Sequence, residues 1–181
     1  RPGAWRAAPR CVRIDRRPSS RGPDIAMSAN LAHLLERSLA VPDRALYRHW
    51  SGRHWEDVTA AEIAERAACW QAAYRREGFA PGDRVALALR NGVDWVAIDQ
   101  AALGLGLVVV PLYVDDNADN IAWCVEHSRA QLLVVDNSRM ANALRGLADR
   151  HALPPIVVVH ADEKEPGATA ERWLPGADRP F

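Results

Sequence analysis

The chain has 181 residues, of which 49% are hydrophobic and 25% are charged, and its formal net charge is zero. A chain of this length and composition can bury a hydrophobic core, so we expect one domain with extensions. No apolar run approaches the roughly 20 residues that a membrane-spanning helix requires, so no transmembrane segment is predicted and a soluble, cytoplasmic protein is the default interpretation.

The first 26 residues differ in charge from the rest of the chain. They contain seven arginines against Asp15 and Asp24, a net charge of +5, so the remainder carries −5. They lack the continuous apolar segment of a secretory signal. One aromatic residue, Trp5, and no helical periodicity argue against a surface for nucleic acid or an anionic membrane. We predict a disordered basic extension over residues 1–26 that packs against nothing, and a folded part that begins at Met27.

A helix and a β-hairpin are predicted before the main sheet. Leucines at helical spacing between residues 31 and 39 predict one short amphipathic helix. The aromatic-containing runs 45–50 and 54–58 follow, joined by a Ser-Gly-Arg turn in which Gly52 supplies the positive φ of a tight hairpin. We expect this hairpin to stand outside the main sheet.

The next predicted element is a long helix with a strong start signal. Thr59 and Glu62 form a capping box, in which the threonine hydroxyl accepts from the Glu62 amide and the glutamate reaches back to the Thr59 amide. Gly78 offers a left-handed end to this helix. The apolar positions that mark its buried face are Ile63, Ala67, Trp70 and Tyr74. We interpret Trp70 as a core residue rather than a platform for a ligand.

From residue 84 the chain alternates between strands and helices. The predicted strands are 84–89, 107–112, 131–135 and 156–159, and the predicted helices are 92–103, 117–128 and 139–150. N-caps are predicted at Asn91, at Asp116 or Asn117, and at Asn137 or Ser138. The strands are continuous aliphatic runs, which are typical of a parallel sheet covered on both faces. The predicted fold class is α/β, a doubly wound parallel sheet over residues 27–160, followed by an irregular end over residues 161–181.

The glycines and the lysine do not form a phosphate-binding motif. A dinucleotide fingerprint requires GxGxxG directly after a strand, whereas Gly104 and Gly106 lack the third glycine and precede a strand. We interpret them as glycines that end a helix and allow close contact between helix and sheet. GxxxxGK[ST] and GxSxG motifs are absent from the sequence, and its one lysine, Lys164, lies in an acidic loop and is assigned no role.

Potential metal ligands do not form a recognisable set either. Cys11, Cys69 and Cys124 are widely separated and show no CxxC spacing, so neither a disulfide framework nor a zinc site is predicted. His49 and His54 lie near the hairpin turn without a third ligand at a supporting spacing. We interpret them as surface histidines.

A phosphoacceptor domain of the receiver type is a competing interpretation. Asp136 closes one predicted strand and Asp115-Asp116 follow another, and carboxylates gathered there could bind Mg²⁺. Receivers, however, place their acidic pair after the first strand, where this chain has Arg90-Asn91. We therefore interpret the three aspartates as loop and helix-cap residues.

Four segments occur in an order and spacing that argue against coincidence. They are Val58–Ile63, Gly78–Leu87, Asn91–Trp95 and Ala102–Tyr113, and similarity continues through residue 136. Together they resemble the amino-terminal part of AMP-forming acyl-CoA synthetases, and within that family the long-chain fatty-acid group. The first segment is similar to a core motif that usually reads Thr-Tyr-x-Glu-Leu, with Ala60 in place of the tyrosine.

This resemblance implies an ATP-dependent ligase that converts a fatty acid to an acyl-adenylate and then passes the acyl group to coenzyme A. Mg²⁺ offsets the phosphate charge in such enzymes. The family's phosphate loop, nucleotide contacts, magnesium-binding glutamate and catalytic lysine have no counterpart in this sequence. We therefore assign no catalytic, cofactor-binding or metal-binding residue.

We expect an amino-terminal α/β subdomain of a ligase that is inactive by itself, with the rest of the ligase polypeptide as its partner. A freestanding, non-catalytic α/β binding domain remains the alternative, with the receiver domain less favoured.

Overall fold

The computed structural model describes residues 31–162 and 167–174. The predicted extension 1–26 and Lys164 lie outside the described residues. The first described element is a 3-10 turn, Leu31–His33, that continues into helix α1, Leu34–Ser38. The predicted short helix is thus confirmed.

The predicted hairpin and the capping box of the helix that follows it are also confirmed. Strands β1, Ala45–Trp50, and β2, Trp55–Thr59, pair antiparallel around Gly52, whose φ is 92°. Helix α2, Ala60–Arg76, follows at once. The Glu62 amide donates to Thr59 Oγ1 at 3.2 Å, and the Thr59 amide donates to Glu62 Oε2 at 2.8 Å. Gly78, with φ of 82°, ends this helical segment as predicted.

The main sheet contains five parallel strands in the order β4-β3-β5-β6-β7. The strands are β3 (Arg84–Ala88), β4 (Val108–Pro111), β5 (Leu132–Asn137), β6 (Ile156–His160) and β7 (Ala168–Thr169). The helices between and after them are α3 (Val93–Gly104), α4 (Ala118–Ser128), α5 (Ser138–Arg145) and α6 (Ala170–Trp173). The predicted α/β fold with a doubly wound parallel sheet is confirmed.

The sheet is covered on both faces, as its aliphatic strands require. Val85 and Leu87 point to a core shared with α2, α3 and α6, whereas Ala86 and Ala88 point to a core shared with α4 and α5. Successive side chains of a strand alternate between faces, so a strand that is apolar at every position can be accommodated only in a middle layer. All four of these side chains are fully buried.

The prediction of an irregular end over residues 161–181 was partly wrong. Residues 168–173, expected to be irregular, form β7 and α6, because the Trp173 ring has an aromatic cluster to pack against. Its centroid lies 5.2 Å from that of Trp70 and 5.7 Å from that of Tyr74. Arg76 Nη2 also donates to the Trp173 carbonyl at 2.7 Å. Burial of Trp70, which is 3% exposed, confirms its predicted core position.

Three local predictions were also wrong. Asn91 is not the cap of α3, because the chain stays extended through Gly92 and the helix begins one residue later, without a side-chain cap. Helix α5 ends at Arg145 rather than at residue 150, because the next residue, Gly146, is a poor helix former. Cys69 is disulfide-bonded, although the cysteine spacing predicted no disulfide framework, while Cys124 is a free thiol.

Asn117 and Asn137 cap α4 and α5, each accepting from an amide three residues later, as predicted. Within residues 31–162 and 167–174, no helix combines the length and the apolar character that crossing a membrane demands.

Candidate functional site

The carboxyl edge of the parallel sheet is the candidate site. The chain passes from β3 through α3 to β4 on one side, and returns through α4 to β5 on the other side of β3. In open α/β sheets, ligands bind outside the carboxyl ends of the strands at such a reversal of strand order. Arg90, Tyr113, Asp136 and His160 lie at or just after these strand ends.

An ion cluster at this edge joins three elements. Arg66 on α2 donates through Nη1 to Asp94 Oδ1, in the first turn of α3, at 2.9 Å. His160 Nε2, at the end of β6, lies 3.9 Å from Asp94 Oδ2. The Arg66 and Asp94 side chains are 17% and 27% exposed, so their pair is partly withdrawn from water. The carboxylate also faces the positive end of the α3 dipole. The Arg66–Asp94 ion pair links α2 to α3, and His160 at the end of β6 lies close to it.

The three aspartates considered for a magnesium site each have a local partner. Asp115 Oδ1 lies 3.3 Å from Arg90 Nη2, with both side chains mostly exposed. Asp116 Oδ1 accepts from the Asn117 amide at 2.8 Å, and Asp136 Oδ2 accepts from Asn137 Nδ2 at 3.0 Å. Among the described residues, no group of three or more His, Cys, Asp or Glu side chains gathers as metal ligands. The interpretation of these aspartates as loop and cap residues agrees with these contacts.

The hairpin histidines do not form a metal pair with a third ligand in the described part of the chain. His54 Nε2 lies 3.2 Å from Glu56 Oε1, and its Nδ1 lies 3.5 Å from Ser51 Oγ. The His54 side chain is 69% exposed. It is therefore a surface histidine held by its neighbours in the turn.

Both glycines of the Gly-Leu-Gly segment have structural roles, though one differs from the prediction. Gly106 has φ of 71°, and its carbonyl accepts from the Gly82 amide at 2.9 Å in the approach to β4. Gly104 lies against the side chain of Gln71 on α2, so its missing Cβ allows helix–helix contact rather than the expected helix–sheet contact.

Two ionisable groups with altered pKa values, Tyr74 on α2 and Asp99 on α3, lie close to each other. Burial, and secondarily the charge of Asp99, raises the pKa of the Tyr74 phenol far above its usual range. Burial also raises the pKa of Asp99, against a hydrogen bond from Gln100 that lowers it. Tyr74 has no access to solvent, so these shifts mark a buried core rather than a reactive centre.

Sequence patterns did not predict the cluster of Arg66, Asp94 and His160 or a cavity of about 360 Å³ between α1 and the helix pair α2–α3. Polar side chains of His33, Gln71 and Gln100 line this cavity beside alanines of α2. The residues of both features come from separate parts of the sequence and match no motif. The only local signal was the acidic residue in the first turn of α3.

A family model matches most of the chain and agrees with the resemblance found in the sequence. Residues 35–179 match the AMP-binding enzyme family, so the chain belongs to that family. The fold alone is also shared with the crystal structure of the anthranilate CoA ligase AuaEII in complex with anthranoyl-AMP. The TM-score is 0.70 at 19% identity, over 82% of this chain and 28% of that one.

Curated relatives are acyl-CoA ligases. The chain is 28% identical over 117 residues to the long-chain-fatty-acid–CoA ligase FadD15 of Mycobacterium bovis, a match that covers 65% of this chain. It is 25% identical over 107 residues to the human long-chain-fatty-acid–CoA ligase 1, covering 58% of this chain. The matched segments span 20% and 15% of those two relatives, so the chain corresponds to a minor part of each.

Proposed function

We propose that this chain is the amino-terminal α/β part of an AMP-forming acyl-CoA ligase whose substrate is a fatty acid. The observation that carries the proposal is the family match over residues 35–179, supported by relatives named as long-chain-fatty-acid ligases. The amino-terminal part that we propose spans residues 27–160 and includes the β7–α6 segment that completes its sheet. A cytoplasmic location is part of this proposal.

We propose that this part of the ligase does not by itself bind ATP phosphates or Mg²⁺. The carboxylates of the described residues at the carboxyl edge are engaged with Arg66, Arg90 and helix-cap amides, and they gather no group of three metal ligands. We therefore derive no catalytic step through these groups. We place the residues that bind ATP, Mg²⁺ and coenzyme A in the remainder of the ligase polypeptide, which is also the expected partner of this part.

The contribution we assign to this chain is structural. Its sheet, covered on both faces, supplies a rigid wall, and the pair of Arg66 and Asp94 orders the edge at which a parallel α/β sheet presents its loops. Rigid elements of this kind position catalytic groups that other segments contribute. The alternative of an independent, non-catalytic binding domain predicts no requirement for a longer polypeptide.

The test is carboxylate-dependent release of pyrophosphate from ATP and Mg²⁺. We compare the 181-residue chain with the complete polypeptide that its gene encodes, using palmitate, anthranilate or no carboxylate. We expect release from the complete polypeptide with palmitate and none above background from the 181-residue chain. Release by the short chain would contradict its assigned structural role. A preference for anthranilate over palmitate would contradict the fatty-acid assignment alone.

A further inference from the structure

The cavity between α1 and the helix pair α2–α3 is a partly open space with aliphatic walls. Its volume is about 360 Å³. Leu35 and Leu39 line it on the side of the α1 segment, and Ala64, Ala67 and Ala68 line it on the side of α2. Ligand sites in proteins have volumes of roughly 300–1,000 Å³, so this cavity suits a small ligand whose apolar part is a short aliphatic chain.

Two glutamines that line the cavity have their amide nitrogens engaged elsewhere. Gln71 on α2 donates through Nε2 to the Ala101 carbonyl at 3.3 Å. Gln100 on α3 donates through Nε2 to Asp99 Oδ2, also at 3.3 Å. Each amide nitrogen thus has a partner on α3. The atom that each side chain retains for a bound molecule is its oxygen, which only accepts hydrogen bonds.

The other two polar residues of the cavity also have no donor facing them. His33 Nδ1 is buried and has no hydrogen-bond partner among the described residues. A buried polar atom without a partner costs free energy, which a ligand that donates to this nitrogen recovers. Glu36 is an exposed residue of α1 that lines the cavity and forms no ion pair within the described part of the chain. No arginine or lysine is among the described residues that line the cavity, so its polar groups are acceptors with one negative charge.

We propose that this cavity binds a short primary alkylamine, whose ammonium group donates to the Glu36 carboxylate, to His33 Nδ1 and to a glutamine oxygen. An ammonium group has three donors and no acceptor, which matches a set of acceptors, and its charge is complementary to that of Glu36. The alkyl chain is buried against the leucines and alanines of the walls. A site without a cation disfavours carboxylates and phosphates. It is therefore distinct from the sites for ATP, coenzyme A and fatty acid in the proposed ligase, and it does not depend on that function.

The test is isothermal titration calorimetry of the 181-residue chain with pentylamine, pentan-1-ol and pentanoate at neutral pH and constant ionic strength. We expect pentylamine to bind about tenfold more tightly than pentan-1-ol, which has the same chain without the charge. Pentanoate is expected not to bind measurably. Glu36→Gln is expected to weaken the binding of pentylamine about fivefold, the modest effect of a charge contact at an exposed position, and to leave that of pentan-1-ol unchanged.

A second variant, Ala68→Leu, fills the cavity without removing a polar group. It is expected to weaken the binding of both pentylamine and pentan-1-ol about tenfold, because the leucine side chain takes up the space that the alkyl chain needs. Ala72→Leu is its matched control, since Ala72 also lies on α2 but is not among the residues that line the cavity. Glu65→Gln, at an exposed position of α2 outside the cavity, is the control for the loss of a carboxylate.

Circular dichroism verifies that each variant is folded. The proposal is overturned if pentylamine does not bind the parent chain, or if pentanoate or pentan-1-ol binds as tightly as pentylamine. It is also overturned if Glu36→Gln and Glu65→Gln weaken the binding of pentylamine equally. An unchanged affinity in Ala68→Leu would show that the amine binds elsewhere on the surface, and would likewise overturn it.

Discussion

Replacing Tyr74 by phenylalanine is expected to stabilise the protein. Tyr74 is fully buried among the rings of Trp70, Phe79 and Trp173, whose centroids lie 5.4 to 6.0 Å away. Its hydroxyl oxygen is buried and has no hydrogen-bond partner among the described residues. A buried hydroxyl that exchanges its bond to water for no bond in the protein opposes folding.

The magnitude follows from two opposing terms. An unsatisfied buried polar group costs about 1–3 kcal/mol of folding free energy. Removing the oxygen leaves a void of roughly 10 Å³, and at about 24 cal/mol per Å³ this costs about 0.2 kcal/mol. We therefore expect Tyr74→Phe to raise the free energy of unfolding by about 1–3 kcal/mol. For a chain of this size, that corresponds to a melting temperature higher by about 2–11 °C.

Urea unfolding followed by circular dichroism measures this change as a shift in midpoint at constant m-value. Tyr47→Phe is the matched control, because Tyr47 is 44% exposed and its hydroxyl is available to water. We expect the control to alter the free energy of unfolding by less than about 0.5 kcal/mol. A Tyr74→Phe variant that is less stable than the parent would refute the reasoning, since it would mean that the buried hydroxyl makes a favourable hydrogen bond.

Three further substitutions test local features. Gly106→Ala places a Cβ on a residue with φ of 71° and 3.3 Å from Pro81 Cβ, and is expected to destabilise the fold by about 1–2 kcal/mol in urea unfolding. Thr59→Ala removes the capping box of α2 and is expected to cost about 1 kcal/mol in the same assay. Hydrogen bonds from His151 and the Ala152 amide hold the pKa of Glu126 below its ordinary value of 4.5. The contribution of the Glu126 carboxylate to stability is therefore complete above that pH and is lost as the pH falls below it. In a series of urea midpoints measured at different pH values, Glu126→Gln should be less stable than the parent near neutral pH. In acid, the two proteins should have the same midpoint.

Two of these substitutions have a matched control. Gly104→Ala is expected to be nearly neutral, because its Cβ meets only the flexible end of Gln71 and alanine improves helix propensity by roughly 1 kcal/mol. Equal effects at Gly104 and Gly106 would show that backbone conformation is not the cause. Glu65 is exposed on α2 and forms no ion pair within the described residues, so Glu65→Gln should follow the parent at every pH. If the urea midpoint of Glu126→Gln falls in acid as steeply as that of the parent, the contact assigned between Glu126 and His151 is contradicted.

Local sequence signals predicted the elements well because they depend on residues only a few positions apart. The capping box of Thr59 and Glu62 needs a spacing of three, and the aliphatic runs at residues 84–89 and 131–135 identify strands buried on both faces without knowledge of their neighbours. The same runs predicted the parallel sheet and the α/β class, which the structure confirms. The alternation of strands and helices along the sequence did not predict the strand order. It does not indicate that β5 pairs with β3 on the side opposite β4.

Only the tertiary structure decided what happens between distant residues. No pattern near Trp173 predicts that residues 168–173 form a strand and a helix, because what orders them is an aromatic cluster about 100 residues earlier in the chain. Arg66, Asp94 and His160 likewise meet only because α2 packs on α3 and β6 ends beside them. A two-residue strand has too little local preference to form alone, and burial against the assembled sheet supplies the missing free energy.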